Sequence, residues 1–204
     1  MATSASPPPA ARRPAAGTMF RPLTPSRLDD LATLFGTSKT TNGCYCMWFL
    51  IPAKECHAGW GEVNKAAFEE RAQAERRPMG LLAYREGEPV GWCAAGPRSR
   101  YARALRSPVL KGRDADEDDR VWLVPCFFVK TGARKLGVMR GLLEKAVDLA
   151  AKNRATAIEG FPLAGDRRRD SASAYLGVEP LFASCGFDVV ARPTEGRVHM
   201  RRPL

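Results

Sequence analysis

Apolar residues recur along the chain with two different periods, and the longer period marks helices. From Arg27 to Phe35 they return every three or four positions, which predicts an amphipathic helix. A polar helix is predicted from Glu62 to Arg76, and a short one from Glu179 to Ser184 before Gly186. The clearest helix is predicted from Val138 to Asn153. Its apolar side consists of Val138, Leu142, Leu143, Ala146, Val147 and Ala150.

Runs of β-branched, aromatic and other apolar residues predict the strands. Charged or polar turns containing Gly and Pro join two pairs of them, so each pair predicts a hairpin. The order of helices and strands predicts a mixed α/β fold. The predicted strands are residues 20–23, 79–84, 90–95, 121–129, 155–162, 187–192 and 197–202.

The run from Val121 to Val129 is apolar throughout, as is typical of a central strand covered on both faces. Pro125 interrupts it. Because proline lacks the N–H that a strand ladder needs, we expect the strand to bulge or to separate from a neighbour there. A ligand could enter the gap.

Two stretches lack a clear period. Residues 37–61 form an irregular segment rich in aromatic residues and cysteines, and Pro97 to Asp119 is interpreted as a mobile loop, first basic and then acidic. Residues 1–17 are rich in Ala, Pro and Ser, which predicts a disordered tail. Residues 18–204 are then expected to form a single domain.

Composition limits the class of protein. Hydrophobic residues make up 45% of the chain, and no apolar run approaches the roughly 18 to 20 residues of a membrane span. The six cysteines occur without an export signal, so reduced thiols and a cytoplasmic location are expected. The net charge of +10 favours a polyanionic partner or a phosphate-rich cofactor. No established nucleic-acid-binding motif accompanies this charge, so nucleic acid is not an expected partner.

The segment from Lys130 to Met139 joins the apolar strand to the clearest helix. A helix N-terminus presents unpaired N–H groups and the positive end of the helix dipole, which together bind phosphate. Gly132 and Gly137 let the backbone approach an anion closely. The sequence contains neither of the common Gly-rich nucleotide motifs, so a different phosphate ligand is indicated. Positive charge is expected from Lys130, Arg134, Lys135 and Arg140.

The loop sequence Arg134-Lys-Leu-Gly-Val-Met139 resembles the signature of the GNAT (GCN5-related N-acetyltransferase) superfamily, with Met139 where that signature has a small residue. Leu181 to Phe187 is similar to the superfamily's late helix and final turn. The likeness extends from Phe20 to Arg202. Within the superfamily, Cys44 to Trp48 resembles a bacterial subgroup of poorly assigned substrate.

The resemblance implies a central, mostly antiparallel sheet with a parallel, splayed pair of strands, flanked by helices. It also implies acetyl-CoA as cosubstrate, with its pyrophosphate on the loop amides and its pantetheine arm along the bulged strand. The acceptor would be a primary amine of a small molecule or a protein lysine, acetylated by direct transfer. The cofactor-binding residues implied are Cys126, Phe127, Phe128, Val129, Arg134, Lys135, Leu136, Gly137, Val138, Met139 and Arg140.

Two questions stay open at this point: whether the chain catalyses transfer and whether it forms a homodimer. The chain could be a regulatory module that binds acyl-CoA without turnover. In many members of the family a tyrosine on the late helix is the general acid that protonates the leaving thiolate, and Phe182 occupies that position here. Tyr175 is the first choice for a replacement acid, followed by Ser173, Ser184 or water. Whether the protein forms a homodimer is likewise open.

Glu159 is the candidate general base, since it stands in an apolar strand where burial would raise its pKa. The alternative is an ion pair with an arginine, such as Arg120 or Arg134. Cys126 could act as a nucleophile, yet no histidine is placed beside it by the sequence.

The acceptor pocket is expected to be walled by Tyr45, Trp48 and Trp60. Cys44, Cys46, Cys56 and His57 depart from the usual spacing of zinc ligands, so no metal is expected and the cysteines are interpreted as small apolar filler.

Overall fold

The computed structural model describes residues 13–165 and 174–204, where a seven-stranded sheet is flanked by helices. The strands are β1 Met19–Pro22, β2 Gly80–Arg85, β3 Glu88–Pro97, β4 Val121–Val129, β5 Ala157–Gly160, β6 Asp188–Thr194 and β7 Arg197–Pro203. The α-helices are α1 Leu28–Phe35, α2 Lys39–Cys44, α3 Ala53–Ala58, α4 Glu62–Ala74, α5 Val138–Lys152 and α6 Glu179–Ala183.

The strands lie in the order β1-β2-β3-β4-β5-β7-β6. Every neighbouring pair is antiparallel except β4 and β5, which are parallel and are connected through α5. This crossover places the N-terminus of α5 beside the end of β4. The arrangement confirms the mixed sheet with one parallel pair.

The sheet separates two apolar cores. One core lies under α5 and α6 and contains Trp122, Val124 and Phe127 of β4. The other lies under α1 to α4 and contains Leu123 of β4, with Cys126 and Phe128 packed against it. Since β4 contributes to both cores, its apolar sequence follows from burial on both faces.

The stretch predicted to be irregular contains two short helices, α2 and α3. The sequence of α2 is poor in helix formers, so packing rather than propensity holds it. Gly43 allows this packing, because a Cβ there would lie 1.8 Å from Nε1 of Trp60. The segment from Pro97 to Asp119, interpreted as a mobile loop, begins at the last residue of β3 and contains four 3₁₀ turns, whose buried residues include Arg98 and Leu110.

Some sequence predictions lie outside the described residues, namely the first twelve positions of the tail and the candidate acid Ser173. Of the tail, residues 13–17 are described, and the Ala15 amide donates to the Leu136 carbonyl at 3.0 Å. None of the helices in the described ranges has the length and apolar character needed to cross a membrane.

Candidate active site

The parallel strands β4 and β5 pair over four residues only. Their ladder runs from Val121 opposite Ala157 to Val124 opposite Gly160, where β5 ends. β4 continues to Val129. Within the described residues no strand pairs with this side of β4 beyond Val124, so five residues of β4 present an open edge.

The register between β4 and β3 changes at Pro125. Leu123 is opposite Gly96 and Cys126 is opposite Ala94, so Val124 and Pro125 together face the single residue between them on β3. Two residues facing one define a β-bulge, which proline tolerates because no ladder hydrogen bond is required of it. The predicted break at Pro125 is confirmed.

After the bulge, alternate residues of β4 turn their main chains toward the open edge. The amide of Lys130 donates to the Val90 carbonyl of β3 at 2.9 Å. Because main-chain groups alternate sides along a strand, those of Phe127 and Val129 face away from β3. Arg134 Nε donates to the Val129 carbonyl at 3.3 Å. An extended ligand could therefore pair with this edge.

The loop after β4 turns sharply before α5 begins. Lys135 has φ 62° and Gly137 has φ 73°, both left-handed, and α5 starts at Val138. The Gly141 amide donates to the Gly137 carbonyl at 3.0 Å, so the amides of residues 138–140 precede the first helical hydrogen bond. This is the geometry of an anion-binding helix N-terminus.

A cavity of about 460 Å³ lies beside this loop and is basic. Its lining residues include Phe128, Lys130 and Arg134 together with Ser38. Arg140, by contrast, pairs with Glu144 one helical turn later, with 2.9 Å between Nε and Oε1. The expectation that Arg140 adds positive charge at the loop is therefore weakened, since Glu144 balances it.

Met139 occupies the loop position where a small residue was expected. Its side chain is half-buried and packs against the core under α5. The methionine therefore fills part of the protein interior. Its bulk is not a reason to reject an anion at the loop.

A second cavity, of about 490 Å³, is lined by aromatic rings and is called the aromatic cavity here. Its rings are those of Trp48, Phe49, Phe161 and Tyr175. Phe161 directly follows β5, and it shares one apolar cluster with Cys126 of β4. The 3₁₀ turn Ala174–Leu176 contributes Tyr175 and Leu176 to the lining and also packs against β4, so the aromatic cavity lies near that strand.

A family model described as the acetyltransferase (GNAT) family matches residues 45–168, more than half of the chain. The chain belongs to the GNAT acetyltransferase family. The match includes β4, the loop from Lys130 to Gly137 and α5, and it confirms the resemblance seen in the loop sequence. A search of curated proteins finds no matching sequence.

Solved structures share the GNAT fold over nearly the whole chain. The ribosomal-protein-alanine N-acetyltransferase of Brucella melitensis is 19% identical with a TM-score of 0.52, covering 91% of this chain and 99% of that one. The yncA protein of Salmonella typhimurium, solved with acetyl-CoA, is 17% identical with a TM-score of 0.53, covering 92% and 94%. A GNAT acetyltransferase of Listeria monocytogenes is 12% identical with a TM-score of 0.58, covering 93% and 98%.

Tyr175, the candidate acid, lies in the aromatic cavity. It belongs to a 3₁₀ turn, Ala174–Leu176, and its ring centroid is 6.1 Å from that of Phe49. Burial raises the pKa of the Tyr175 hydroxyl, so it stays protonated at neutral pH. Ser184, the other described candidate, donates its hydroxyl to the Leu181 carbonyl at 2.8 Å.

Phe182 is fully buried in the core. Its ring packs edge-on against Phe127 and Phe187, with centroids 6.1 and 5.0 Å away. Gly160 at the end of β5 permits this position, because a Cβ there would lie 2.3 Å from the Phe182 ring. Phe182 is therefore a packing residue of this core.

Glu159, the candidate base, is buried beside two arginines and a histidine. Its Oε2 lies 3.0 Å from Nη1 of Arg98 and 3.1 Å from Nε2 of His199, and its Oε1 lies 2.9 Å from Nη1 of Arg201. Burial raises the pKa of Glu159, but His199 and Arg98 outweigh burial and hold the pKa below its ordinary value. The expectation of a raised pKa is therefore wrong.

The ion pairs of Glu159 extend across the sheet into residues 98–119. Arg98 Nε lies 2.9 Å from Oδ1 of Asp118, and Arg201 Nη1 lies 2.9 Å from Oε2 of Glu117. Glu159 thus ties β5 and β7 to this segment, and it does not line the aromatic cavity. The sequence left open an ion pair of Glu159 with an arginine such as Arg120 or Arg134. The structure shows such pairs, but with Arg98 and Arg201.

Of the three residues expected to wall the acceptor pocket, only Trp48 lines the aromatic cavity. Tyr45 is 1% exposed, and its ring packs edge-on against Phe35 in the core. Trp60 is exposed and stacks on His57, with centroids 6.0 Å apart. Tyr45 and Trp60, which were expected to wall the acceptor pocket, therefore do not line this cavity.

The cysteines of the described residues are free thiols, and no group of His, Cys, Asp or Glu among those residues could hold a metal ion. Cys46 accepts a hydrogen bond from Trp92 Nε1 at 3.0 Å and Cys56 contacts Asn64, so both are packing residues. Cys126 is half-buried on β4.

Sequence reasoning missed the residues that give the aromatic cavity its charge. They come from the segment interpreted as a mobile loop and from the start of β7, and they are Arg103, Arg106 and Arg197. The basic first half of that segment was visible in the sequence. Nothing local indicated which of its arginines would face a cavity.

Proposed function

We propose that the protein is an N-acetyltransferase that transfers an acetyl group from acetyl-CoA directly to a primary amine. The observation that carries this proposal is the open edge of β4, which leads into a left-handed loop and the N-terminus of α5. One end of this groove suits an anion, and the aromatic cavity lies near the same strand.

The residues present fit acetyl-CoA. The amides of residues 138–140 would hold the pyrophosphate, with the nearby charges of Lys130 and Arg134. The main-chain groups of Phe127 and Val129 would pair with the pantetheine amides. Bound acetyl-CoA supplies an acetyl thioester that is already activated toward amines. Salmonella typhimurium yncA, which shares the fold, was solved with acetyl-CoA.

Direct transfer is favoured over an acyl-enzyme. An acyl-enzyme at Cys126 would need a base beside the thiol. The two histidines lie against other groups, since His57 packs against Trp48 and Trp60, and His199 lies 3.1 Å from Glu159. Tyr175, which lines the aromatic cavity, would donate the proton to the leaving thiolate. Glu159 stays out of the proposed catalytic set, because its carboxylate is paired with Arg98 and Arg201.

A second function, binding of acyl-CoA without turnover, is supported by one observation. Phe182 is buried and has no proton to give. Calorimetry with acetyl-CoA and a thiol-release assay over a panel of primary amines separate the two functions. Binding together with acceptor-dependent release of CoA supports the enzyme. Binding with no release from any amine would leave only the regulatory module.

A further inference from the structure

The described residues that line the aromatic cavity include positively charged side chains and no negatively charged ones. Three arginines line it, Arg103, Arg106 and Arg197, and no aspartate or glutamate is found among its described lining residues. The remaining wall is apolar and aromatic, including Phe49, Phe161 and Val109. Its volume of about 490 Å³ falls in the range of pockets for small molecules.

Two acidic residues that follow the basic part of the segment after β3 are paired with arginines that do not line the cavity. Asp118 pairs with Arg98 and Arg113, at 2.9 and 3.1 Å, and Glu117 pairs with Arg201 at 2.9 Å. These carboxylates are engaged elsewhere.

Arg103 is held in a fixed orientation. Its guanidinium carbon lies 3.4 Å from the centroid of a Trp48 ring, and its Nη1 donates to the Trp48 carbonyl at 3.1 Å. No carboxylate of the described residues pairs with it. Nε and Nη2 remain as two donors in one plane, an arrangement that suits both oxygens of a carboxylate.

We propose that the acceptor is a primary amine that carries a carboxylate beside an apolar or aromatic group, as an apolar amino acid does. The inference rests on the proposed acetyl transfer. Arg103 pairs with the carboxylate, and the apolar group packs against Phe49 and Phe161. Polycationic amines are disfavoured, because no aspartate or glutamate among the described lining residues could pair with a second ammonium group.

The same charges help to prepare the amine for acetylation. Only a neutral amine attacks a thioester, and nearby positive charge lowers the pKa of an ammonium group. The arginines of the cavity therefore favour the neutral, reactive form. This effect reduces the need for a carboxylate base, which the described wall of the cavity lacks.

Equilibrium binding tests the inference without requiring turnover. We would measure by calorimetry, with CoA present, the binding of L-phenylalanine against 2-phenylethylamine and of L-leucine against isopentylamine. Each pair differs by the carboxylate. A charge-assisted hydrogen bond predicts that the amino acid binds about tenfold to one-hundredfold more tightly. Equal or weaker binding of the amino acids, or no binding by any of the four, overturns the inference.

Variants then assign the preference to one residue. Arg103→Gln should remove most of the preference for the carboxylate, while Arg103→Lys should keep part of it. Arg76→Gln is the matched control, because Arg76 is exposed and does not line the cavity. A preference that is unchanged in Arg103→Gln contradicts the role of Arg103.

A thiol-release assay with the same four amines separates this inference from the proposed function. If the amino acids bind but no amine is acetylated, the transferase proposal fails and the carboxylate site stands. If the decarboxylated amines are acetylated as efficiently as the amino acids, the transferase proposal stands and the carboxylate inference fails.

Discussion

Substitutions at Gly137 can distinguish an effect on cofactor binding from an effect on stability. It has φ 73° and is the N-cap of α5, a position where Asn and Asp are both tolerated and where Asp also favours the helix dipole. We expect Gly137→Asp to lower the melting temperature slightly, by about as much as Gly137→Asn, because each puts a Cβ on a left-handed backbone. The Asp carboxylate should weaken the binding of acetyl-CoA by at least about tenfold relative to Gly137→Asn.

The Asn variant is the control for the added bulk, since it differs from Asp only in charge. Calorimetry gives the affinity and thermal unfolding gives the stability. Equal affinities in the two variants would mean that the pyrophosphate does not lie at this loop.

Tyr175→Phe removes the proposed proton donor and keeps the ring in the aromatic cavity. We expect kcat to fall by about 10²- to 10⁴-fold, the usual contribution of a general acid, with little change in the affinity for acetyl-CoA. Tyr84→Phe is the matched control. Tyr84 donates to Asp30 at 2.6 Å outside the cavity, so its loss should cost stability of about 1 kcal/mol and leave kcat unchanged. A fully active Tyr175→Phe enzyme would refute the assignment.

Glu159→Gln tests the buried ion pairs. The substitution keeps the shape of the side chain and removes its charge beside Arg98, which is itself fully buried. Breaking a buried pair costs about 3 to 5 kcal/mol, so the free energy of unfolding should fall by that amount. Glu144→Gln changes an exposed pair and should cost less than about 1 kcal/mol. Chemical denaturation measures both, and equal small losses would mean that the network contributes little.

The same carboxylate predicts how stability depends on pH. The pKa of Glu159 is held below 4.5 in the folded protein, so the unfolded chain binds the proton first as the pH falls. The stabilisation is complete above the unfolded pKa and is lost as the pH falls through the folded pKa. Glu159→Gln should therefore lose less stability than the natural chain on acidification below about pH 4.5.

The limits of sequence reasoning are clearest at Glu159 and Arg103. Burial of Glu159 was predictable from the apolar residues around it. Its partners were not, because Arg98 lies 61 positions before it and Arg201 lies 42 positions after it. Likewise Arg103 is 55 positions from the Trp48 carbonyl that fixes its orientation. Such contacts depend on the order of the strands in the sheet, which local sequence patterns do not reveal.

At the scale of elements, a close approach between β5 and the core can be tested through Gly160. A Cβ at this position would lie 2.3 Å from the Phe182 ring, so Gly160→Ala should overpack the core and destabilise the protein by about 1 to 3 kcal/mol. Gly112→Ala is the control, because a Cβ there meets nothing within 4 Å. Combining Gly160→Ala with Phe182→Leu should recover part of the loss. A Gly160→Ala protein as stable as the control would contradict this packing.

The elements with strong periods were predictable, and those made by packing were not. β4 has the bounds that its apolar run predicts, and α5 buries the six residues assigned to its apolar side. α2 and α3 were missed, since each has six residues and is too short to be stable without tertiary contacts. The loop and the bulge were predictable because Gly137 and Pro125 act locally on the backbone.

At the scale of the whole molecule, the sheet consists of two parts joined by a short parallel ladder. Strands β1 to β4 form one part and β5 to β7 the other, and four residue pairs connect them. The groove proposed for acetyl-CoA opens where this ladder stops. The aromatic cavity lies on one side of the junction and the basic loop near its end, so both parts of the sheet contribute to the site.

The open edge of β4 should be visible in the exchange of amide hydrogens with solvent. Without a ligand, the amides of Phe128 and Lys130 are bonded to β3 and should exchange slowly, whereas those of Phe127 and Val129 should exchange quickly. Protection would then alternate from one residue to the next along a single strand. Addition of acetyl-CoA should slow the exchange of Phe127 and Val129 and remove the alternation, as if the ligand were an eighth strand.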